Sequence, residues 1–461
     1  MSKVILFPIE STSREIECRV ELAKFILANS DDFIIIIGEQ QLIRLIAIIL
    51  KRVSIFGKHL FAKPKFGDRW FYNKLKKNCS KIFYLHEEGV FPGTEDTWSP
   101  IIERAMQPAL FDEDDTLFLW SNFQKDYFKK YDLKCKTYVT GHPRFDLYKK
   151  KVNIPIKYKY LFNSSFSYSN NSQGQDFIFS GKNPSYKFDT KESKFEYFSR
   201  YLDQSKSQLA LERAAIDLAF KNPHQLIKFR PHPSENLNYY KTLFSQIENI
   251  FVDNSSTIND DIKDSEIIIQ IGCTTAIEGY LSGKEVYTLE GTQNSGAKIS
   301  YDLSGKFIFD NNNEVKFLKN NKIKSSTIDQ HSYLTLDNLN LEKDSLNKIS
   351  QIIINESQEL KNYSYLFLVI LLKTINYLVY PVYWLIKIIF YLLKNRLSEI
   401  KDFKQRYVIN SSQIYNISNQ NKSIKIISKY LFLVNDIFYC FATYFLYSFT
   451  TNYFNFSFFK H

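Results

Sequence analysis

Two short stretches group residue types that hold phosphate and ribose. Arg230-Pro231-His232-Pro233-Ser234-Glu235 offers a guanidinium, an imidazole and a hydroxyl. The two prolines restrict the backbone around His232, so its ring is presented with little freedom. Arg230 and His232 donate to phosphate oxygens, with Ser234 in the same polar run. Gly272-Cys273-Thr274-Thr275 opens a helical pattern, and a helix N-terminus with threonine hydroxyls favours anions. Glu278, one turn on and five residues before Gly283, is placed to accept from both hydroxyls of a ribose. Singly, each stretch reads as an ordinary turn or a capped helix. Together, each after an apolar run, they point to a nucleotide site.

A third stretch supplies carboxylates. His86-Glu87-Glu88-Gly89 follows the strand-like run Lys81–Leu85. Like charges side by side and partly desolvated raise one pKa towards the working range of a general base. The bland alternative is a solvated acidic turn. A second His-Pro, in Gly141-His142-Pro143-Arg144-Phe145-Asp146, has no threonine–glutamate sequel. It is expected to close a loop, with Arg144 and Asp146 as a structural pair.

The elements that position these residues follow from apolar runs of strand length. Val4–Pro8, Phe33–Gly38, Lys81–Leu85, Thr116–Trp120 and Tyr138–Thr140 are expected as strands, with a helix over Ile16 to Leu27. This βαβ opening is characteristic of a doubly wound domain. Lys149 to Tyr160, basic and containing Pro155, reads as a linker. A second domain then starts with Tyr160–Phe166, whose Asn163 and serines line a cleft. Ser167–Phe195 reads as a long loop and Phe195–Phe220 as a helix. Leu226–Phe229, Ile267–Ile271 and Val286–Leu289 are further strands. The domain fades into an Asn-rich segment after Asp310, and Ser345–Leu360 is a closing helix. In open α/β sheets, ligands sit outside the carboxyl ends of the strands, where both phosphate-suited runs fall.

The chain has 461 residues, 44% hydrophobic, which is enough for two or three domains with real cores. A formal charge of +11 suits nucleic acid, anionic lipid or an anionic substrate. Zinc-ligand spacing, a helix-turn-helix signal and arginine-rich tracts are all absent, which argues against nucleic acid. Five scattered cysteines fit a reducing compartment. The N-terminus carries no signal-peptide pattern. There is neither a GxGxxG nor a P-loop.

Glu87-Glu88-Gly89, Arg230-Pro231-His232-Pro233 and Thr274-Thr275, in this order, resemble the motif set of bacterial sialyltransferases and 3-deoxy-octulosonic acid transferases. VTGHPRFD, RPHPSEN and GCTTAIEGYLSGK are more similar to the surface carbohydrate biosynthesis proteins. The likeness covers roughly the first 310 residues. It implies an α/β GT-B fold of two Rossmann-like domains facing a cleft: an acceptor domain over 1–150 and a nucleotide-donor domain over 155–360. By position, it makes Glu88 the catalytic carboxylate, with Glu87 as the competing assignment. His232, Thr274 and Thr275 would hold the donor phosphate, and Glu278 would lie by the ribose. Glu285 stands where proline is usual in the E-x4-G-x-P pattern. No metal or other cofactor is expected, because protein donors and helix dipoles neutralise the leaving phosphate.

The expected activity is transfer of a CMP-activated acidic sugar of the octulosonic or nonulosonic type to a lipid-linked or glycan acceptor of a surface polysaccharide, capsule or lipopolysaccharide. The alternatives are a CDP-glycerol or CDP-ribitol glycerophosphotransferase, which would use a histidine such as His86, and a non-catalytic membrane scaffold of the same fold.

Residues 361–461 turn abruptly to Leu, Ile, Tyr and Phe. Tyr363–Leu393 is long enough for a bilayer, which takes ~20 apolar residues. However, Lys373 and Lys387 interrupt it and Pro381 kinks it. Those lysines and Lys394 share one helical face, the pattern of a helix lying in the membrane interface. Lys394–Lys429 is basic, and Ile437–Phe459 is uncharged but rich in Ser, Thr and Asn. The tail is expected to be α-helical and to dock the enzyme, peripheral or monotopic, on the cytoplasmic face of the inner membrane. Its alternative is a soluble helical cap.

Overall fold

The computed structural model describes residues 3–10, 12–58, 70–87, 99, 110–149, 155–174, 179, 190–289, 298–310, 314–319 and 344–359. Glu88 and the whole tail from 361 lie outside them. The chain forms two units. The described residues of the first fall within Met1–Gly57, Trp70–Ile82 and Ile353–His461, and those of the second within Lys58–Arg69 and Phe83–Ile352.

In the first unit, β1 (Lys3–Ile9) lies between β2 (Phe33–Glu39) and β3 (Ser54–Gly57), parallel to both. Val4 to Phe7 are completely buried, as expected of a parallel strand covered on both faces. The helix α1 (Thr12–Asn29) crosses from β1 to β2 and buries Ile16, Val20, Ala23 and Ile26 at helical spacing. The expected helix and both expected strands are present. The helices α2 (Gln40–Ile49) and α3 (Trp70–Lys77) complete the unit.

The second unit carries β4 (Lys81–Leu85) from Phe83 on, then β5 (Thr116–Leu119), α4 (Asn122–Phe128) and β6 (Lys136–Val139). β4 pairs with β5 and β5 with β6, all parallel. A four-residue turn of helix, α5 (Pro143–Asp146), follows β6. The second sheet begins at β7 (Tyr158–Asn163), so the expected linker ends two residues earlier than read. The helix α6 (Lys191–Lys221) starts at a capping box of Thr190 and Ser193 and stops before Asn222-Pro223.

There follow β8 (Ile227–Arg230), α7 (Leu237–Leu243), β9 (Ile250–Val252), α8 (Ile258–Lys263), β10 (Ser265–Gln270), α9 (Thr275–Leu281) and β11 (Glu285–Leu289). The domain does not fade after Asp310. The helix α10 (Lys298–Asp302) leads to β12 (Gly305–Phe309), and β13 (Val315–Leu318) pairs with β12 antiparallel as an edge. The helix α11 (Ser345–Glu356) closes the described chain.

The seven strands run β13-β12-β11-β10-β7-β8-β9. Phe162, Phe229, Ile269, Tyr287 and Phe307 form one face of the sheet's core, with Leu211, Ala214 and Leu218 of α6 in the same cluster. Each buried Phe, Ile or Leu side chain among them stabilises the fold by roughly 1.5–3 kcal/mol. The chain winds from β7 through β8 to β9 on one side, then crosses to β10 on the other. The winding therefore reverses between β7 and β10, the place where open α/β sheets bind ligands. Both sheets are the expected doubly wound α/β type.

Candidate functional site

Register aligns the ends of three strands at this reversal. Gln270 of β10 pairs with Asn163 of β7, which pairs with Arg230 of β8. The side chain of Asn163 bridges the reversal point, donating Nδ2–H to Thr275 Oγ1 at 3.0 Å. Gly272, at φ 59°, turns the chain sharply after β10, a conformation that suits glycine. Gln270 Oε1 then accepts the Cys273 N–H at 2.6 Å. The turn delivers Thr274 as the N-cap of α9, where its hydroxyl makes no capping bond. At Gly279 a Cβ would lie 2.6 Å from Ile268 Cδ1, so the glycine lets α9 sit close on the sheet.

On the other side, His232 is held in one tautomer. Its Nδ1 accepts the Ser234 N–H at 3.2 Å and lies 2.6 Å from Ser234 Oγ. A ring nitrogen that accepts a backbone N–H carries no proton, so the proton resides on Nε2 as a donor. His142 repeats the device. Its Nδ1 accepts the Arg144 N–H at 3.1 Å, and its Nε2 lies 3.1 Å from Glu87 Oε2. Both groups are buried, and the imidazole packs edge-on against Trp120 at 4.5 Å between centroids. Glu87, Trp120 and His142 follow the carboxyl ends of the adjacent strands β4, β5 and β6. Burial, with the Glu87 charge second, pushes the neighbouring Tyr84 phenol well above its ordinary value.

The structure thus gathers Asn163, Gln270, Thr274, Thr275 and the His232 turn around one strand reversal. It pairs Glu87 with a histidine that sequence reading set aside. Ser234 is turned to the His232 ring. Arg230 donates to Asp261 Oδ2 at 2.5 Å in a buried ion pair, beside Ser256 Oγ at 3.3 Å. Alternation explains this: Ile227 and Phe229 face the core, so Lys228 and Arg230 share the face towards Asp261 of α8. The expected Arg144–Asp146 pair does not form. Arg144 Nε lies 3.3 Å from Glu278 Oε1, both buried, while Asp146 accepts from Lys149 and from the Leu346 N–H. The ribose-suited Glu278 therefore faces a guanidinium.

Sequence reading missed Glu235. Its carboxylate accepts the His232 N–H at 2.9 Å, Ser164 Oγ–H at 3.0 Å and Tyr240 O–H at 2.6 Å. The available signal was a glutamate three residues after a turn histidine, the spacing of a capping box. Among the described residues, Asp112, Asp114 and Asp115 lie close enough together to hold a cation. They precede β5, at the amino end of a strand whose carboxyl end carries the Trp120–His142 contact.

No family model matches the chain, and no curated protein matches it. Among solved structures, it is similar to a putative UDP-N-acetylglucosamine 2-epimerase from Listeria monocytogenes, at 10% identity and TM-score 0.40, covering 64% of this chain and 81% of that one. It is similar to the wall teichoic acid polymerase TagF with CDPG, at 10% identity and TM-score 0.37, covering 64% and 72%. It is also similar to the Thermosulfurimonas dismutans KpsC beta Kdo 2,7 transferase, at 13% identity and TM-score 0.20, covering 66% and 83%.

Proposed function

We propose that the chain is a GT-B glycosyltransferase that binds a CMP-activated acidic sugar at the second sheet and uses it in surface polysaccharide synthesis. The observation that carries this reading is the strand reversal at Asn163 and Gln270, with the His232 Nε2–H turn on one side and the Thr274–Thr275 helix start on the other. His232 donates to the leaving phosphate, and the hydroxyl and main-chain N–H groups at Thr274 hold the same charge, so no metal is required. The carboxylate that deprotonates the acceptor hydroxyl comes from Glu87-Glu88. In this scheme Glu88 is the base, and Glu87, held by His142, fixes the backbone immediately before it in the sequence. Glu278 serves the ribose by exchanging Arg144 for the sugar hydroxyls. The tail beyond 361 docks the enzyme beside a lipid-linked acceptor on the cytoplasmic face of the membrane.

One observation favours a second reading. The buried His142–Glu87 pair supplies a first-sheet histidine of the kind a CDP-glycerol or CDP-ribitol phosphotransferase needs. A thermal-shift screen with CMP, CDP, UDP and GDP separates the two, since stabilisation follows RT ln(1 + [L]/Kd). Strongest stabilisation by CMP supports the sugar transferase. Strongest stabilisation by CDP, with turnover of CDP-glycerol, supports the alternative, and no stabilisation by any of the four removes both.

A further inference from the structure

We propose that Glu235 is the positioning residue of the donor site: its buried carboxylate sets the height and orientation of the His232 ring through the peptide N–H of His232 itself. The inference rests on the reading of His232 as the phosphate donor.

Glu235 is buried at 2% exposure and has no cationic partner among the described residues, an unusual place for a carboxylate. Four donors surround its two oxygens: the His232 and Phe166 N–H groups and the Ser164 and Tyr240 hydroxyls. An ionised carboxylate accepts about four hydrogen bonds, so the set is matched in number. The contact with His232 is reciprocal, because the Glu235 N–H donates to the His232 carbonyl at 2.8 Å. The turn over 232–235 is therefore closed at both ends. It is also fastened from outside, where Ser172 N–H donates to the Ser234 carbonyl and Asn254 Nδ2–H to the Pro231 carbonyl.

Within this frame Nδ1 of the imidazole is committed to Ser234, which leaves the ring proton on Nε2. Burial pushes the Glu235 carboxyl up to about 7, against the opposing pull of its four donors. Holding an acidic group in this apolar position costs stability, which is understandable if the group serves the site rather than the fold. Glutamine does not replace it well, because its amide nitrogen would point donors at donors.

The test uses the full chain and four proteins: wild type, His232→Ala, Glu235→Gln and the double variant. CMP affinity is measured by calorimetry at pH 8. Histidine 15N spectra report the His232 tautomer without ligand, assigned by the signal missing in His232→Ala. Glu235→Gln is expected to weaken CMP about tenfold with its thermal midpoint close to wild type, and the double variant to lose no more than His232→Ala alone. In the spectra, Glu235→Gln is expected to lose the single Nε2–H signature. Additive losses in the double variant, or an unchanged His232 signature in Glu235→Gln, overturn the positioning role. Because the spectra need no ligand, they decide that role even if wild type fails to bind CMP, an outcome that would instead sink the reading of the site.

Discussion

His142 and Glu87, 55 residues apart, are joined by a buried hydrogen bond of 3.1 Å, and the other nitrogen of His142 is held by the Arg144 N–H. In the sugar-transferase reading, His142, with both nitrogens engaged, serves to orient the Glu87 carboxylate. His142→Ala should leave Glu87 buried without this donor, at a cost of about 1–3 kcal/mol in denaturant unfolding. Turnover should fall at least tenfold while donor KM stays near wild type. A variant with full turnover would show that the pair serves the fold alone.

The two adjacent carboxylates are expected to separate by role. Glu88→Gln should keep CMP affinity and lose turnover about a hundredfold or more, the usual contribution of a general base. Glu87→Gln, in which the amide still meets the His142 ring, should lose less turnover than Glu88→Gln. The reverse order in measured kcat assigns the base to Glu87.

Arg230 and Asp261 form the buried pair that fixes the root of the His232 turn, with Lys228 3.8 Å from the same carboxylate. Asp261→Ala strands the buried Arg230 cation, while Lys228 keeps Asp253 at 3.0 Å, so it should destabilise the protein by about 3–5 kcal/mol. Arg230→Met, which removes the partner's charge but keeps volume, leaves Lys228 to answer Asp261 and should cost less. Chemical denaturation of both variants checks the order, and equal or inverted losses would contradict it.

Much of the fold is legible in the sequence because buried parallel strands announce themselves as apolar runs. Phe33–Glu39 and Lys81–Leu85 are examples. The threonines after β10 and the His-Pro after β8 were legible for the same reason: each closes such a run. The fate of Arg230 was not legible. Its direction depends on which face of β8 the helix α8 covers, and Asp261 is 31 residues away. Nor was the Arg144–Glu278 pair, which joins α5 and α9 across 134 positions; the short-range Asp146 was the natural partner to guess. The edge strand β13 was hidden because an exposed edge alternates apolar and charged residues, as Val315-Lys316-Phe317-Leu318 begins to do, and carries no continuous run.

Glu235 gives a pH signature with a definite sign. Its carboxyl rises from 4.5 to about 7 on folding, so the native state holds the proton more tightly than the unfolded chain. Stability from this group is fully present below about 4.5 and is lost as pH rises to about 7, by roughly 3 kcal/mol in all. Among the described residues, the titratable group bonded to it is Tyr240 from α7, and His232 meets it through its peptide N–H. The end of β7 contributes Ser164 and the Phe166 N–H, which do not titrate in this range. Glu235→Gln should therefore gain on wild type between pH 5 and pH 8 in thermal midpoint. A constant difference across that range would show that the carboxyl does not shift.

The tail makes the last prediction, which concerns location. No described helix is long and apolar enough to cross a membrane, and residues 361–461 lie outside the described set. The sequence there places Lys373, Lys387 and Lys394 on one helical face amid Leu, Ile, Trp384 and tyrosines, the pattern of an interfacial helix. An in-plane helix holds by apolar burial as well as by charge, whereas a purely electrostatic contact is screened at high salt. The full chain should therefore sediment with anionic vesicles and resist release at 1 M salt, where the screening length is about 3 Å. Replacing Trp384 and Leu385 by serine should loosen it without altering CMP affinity. If the full chain stays in solution in the presence of vesicles, the tail is a soluble cap and the acceptor must be reached without a membrane anchor in this segment.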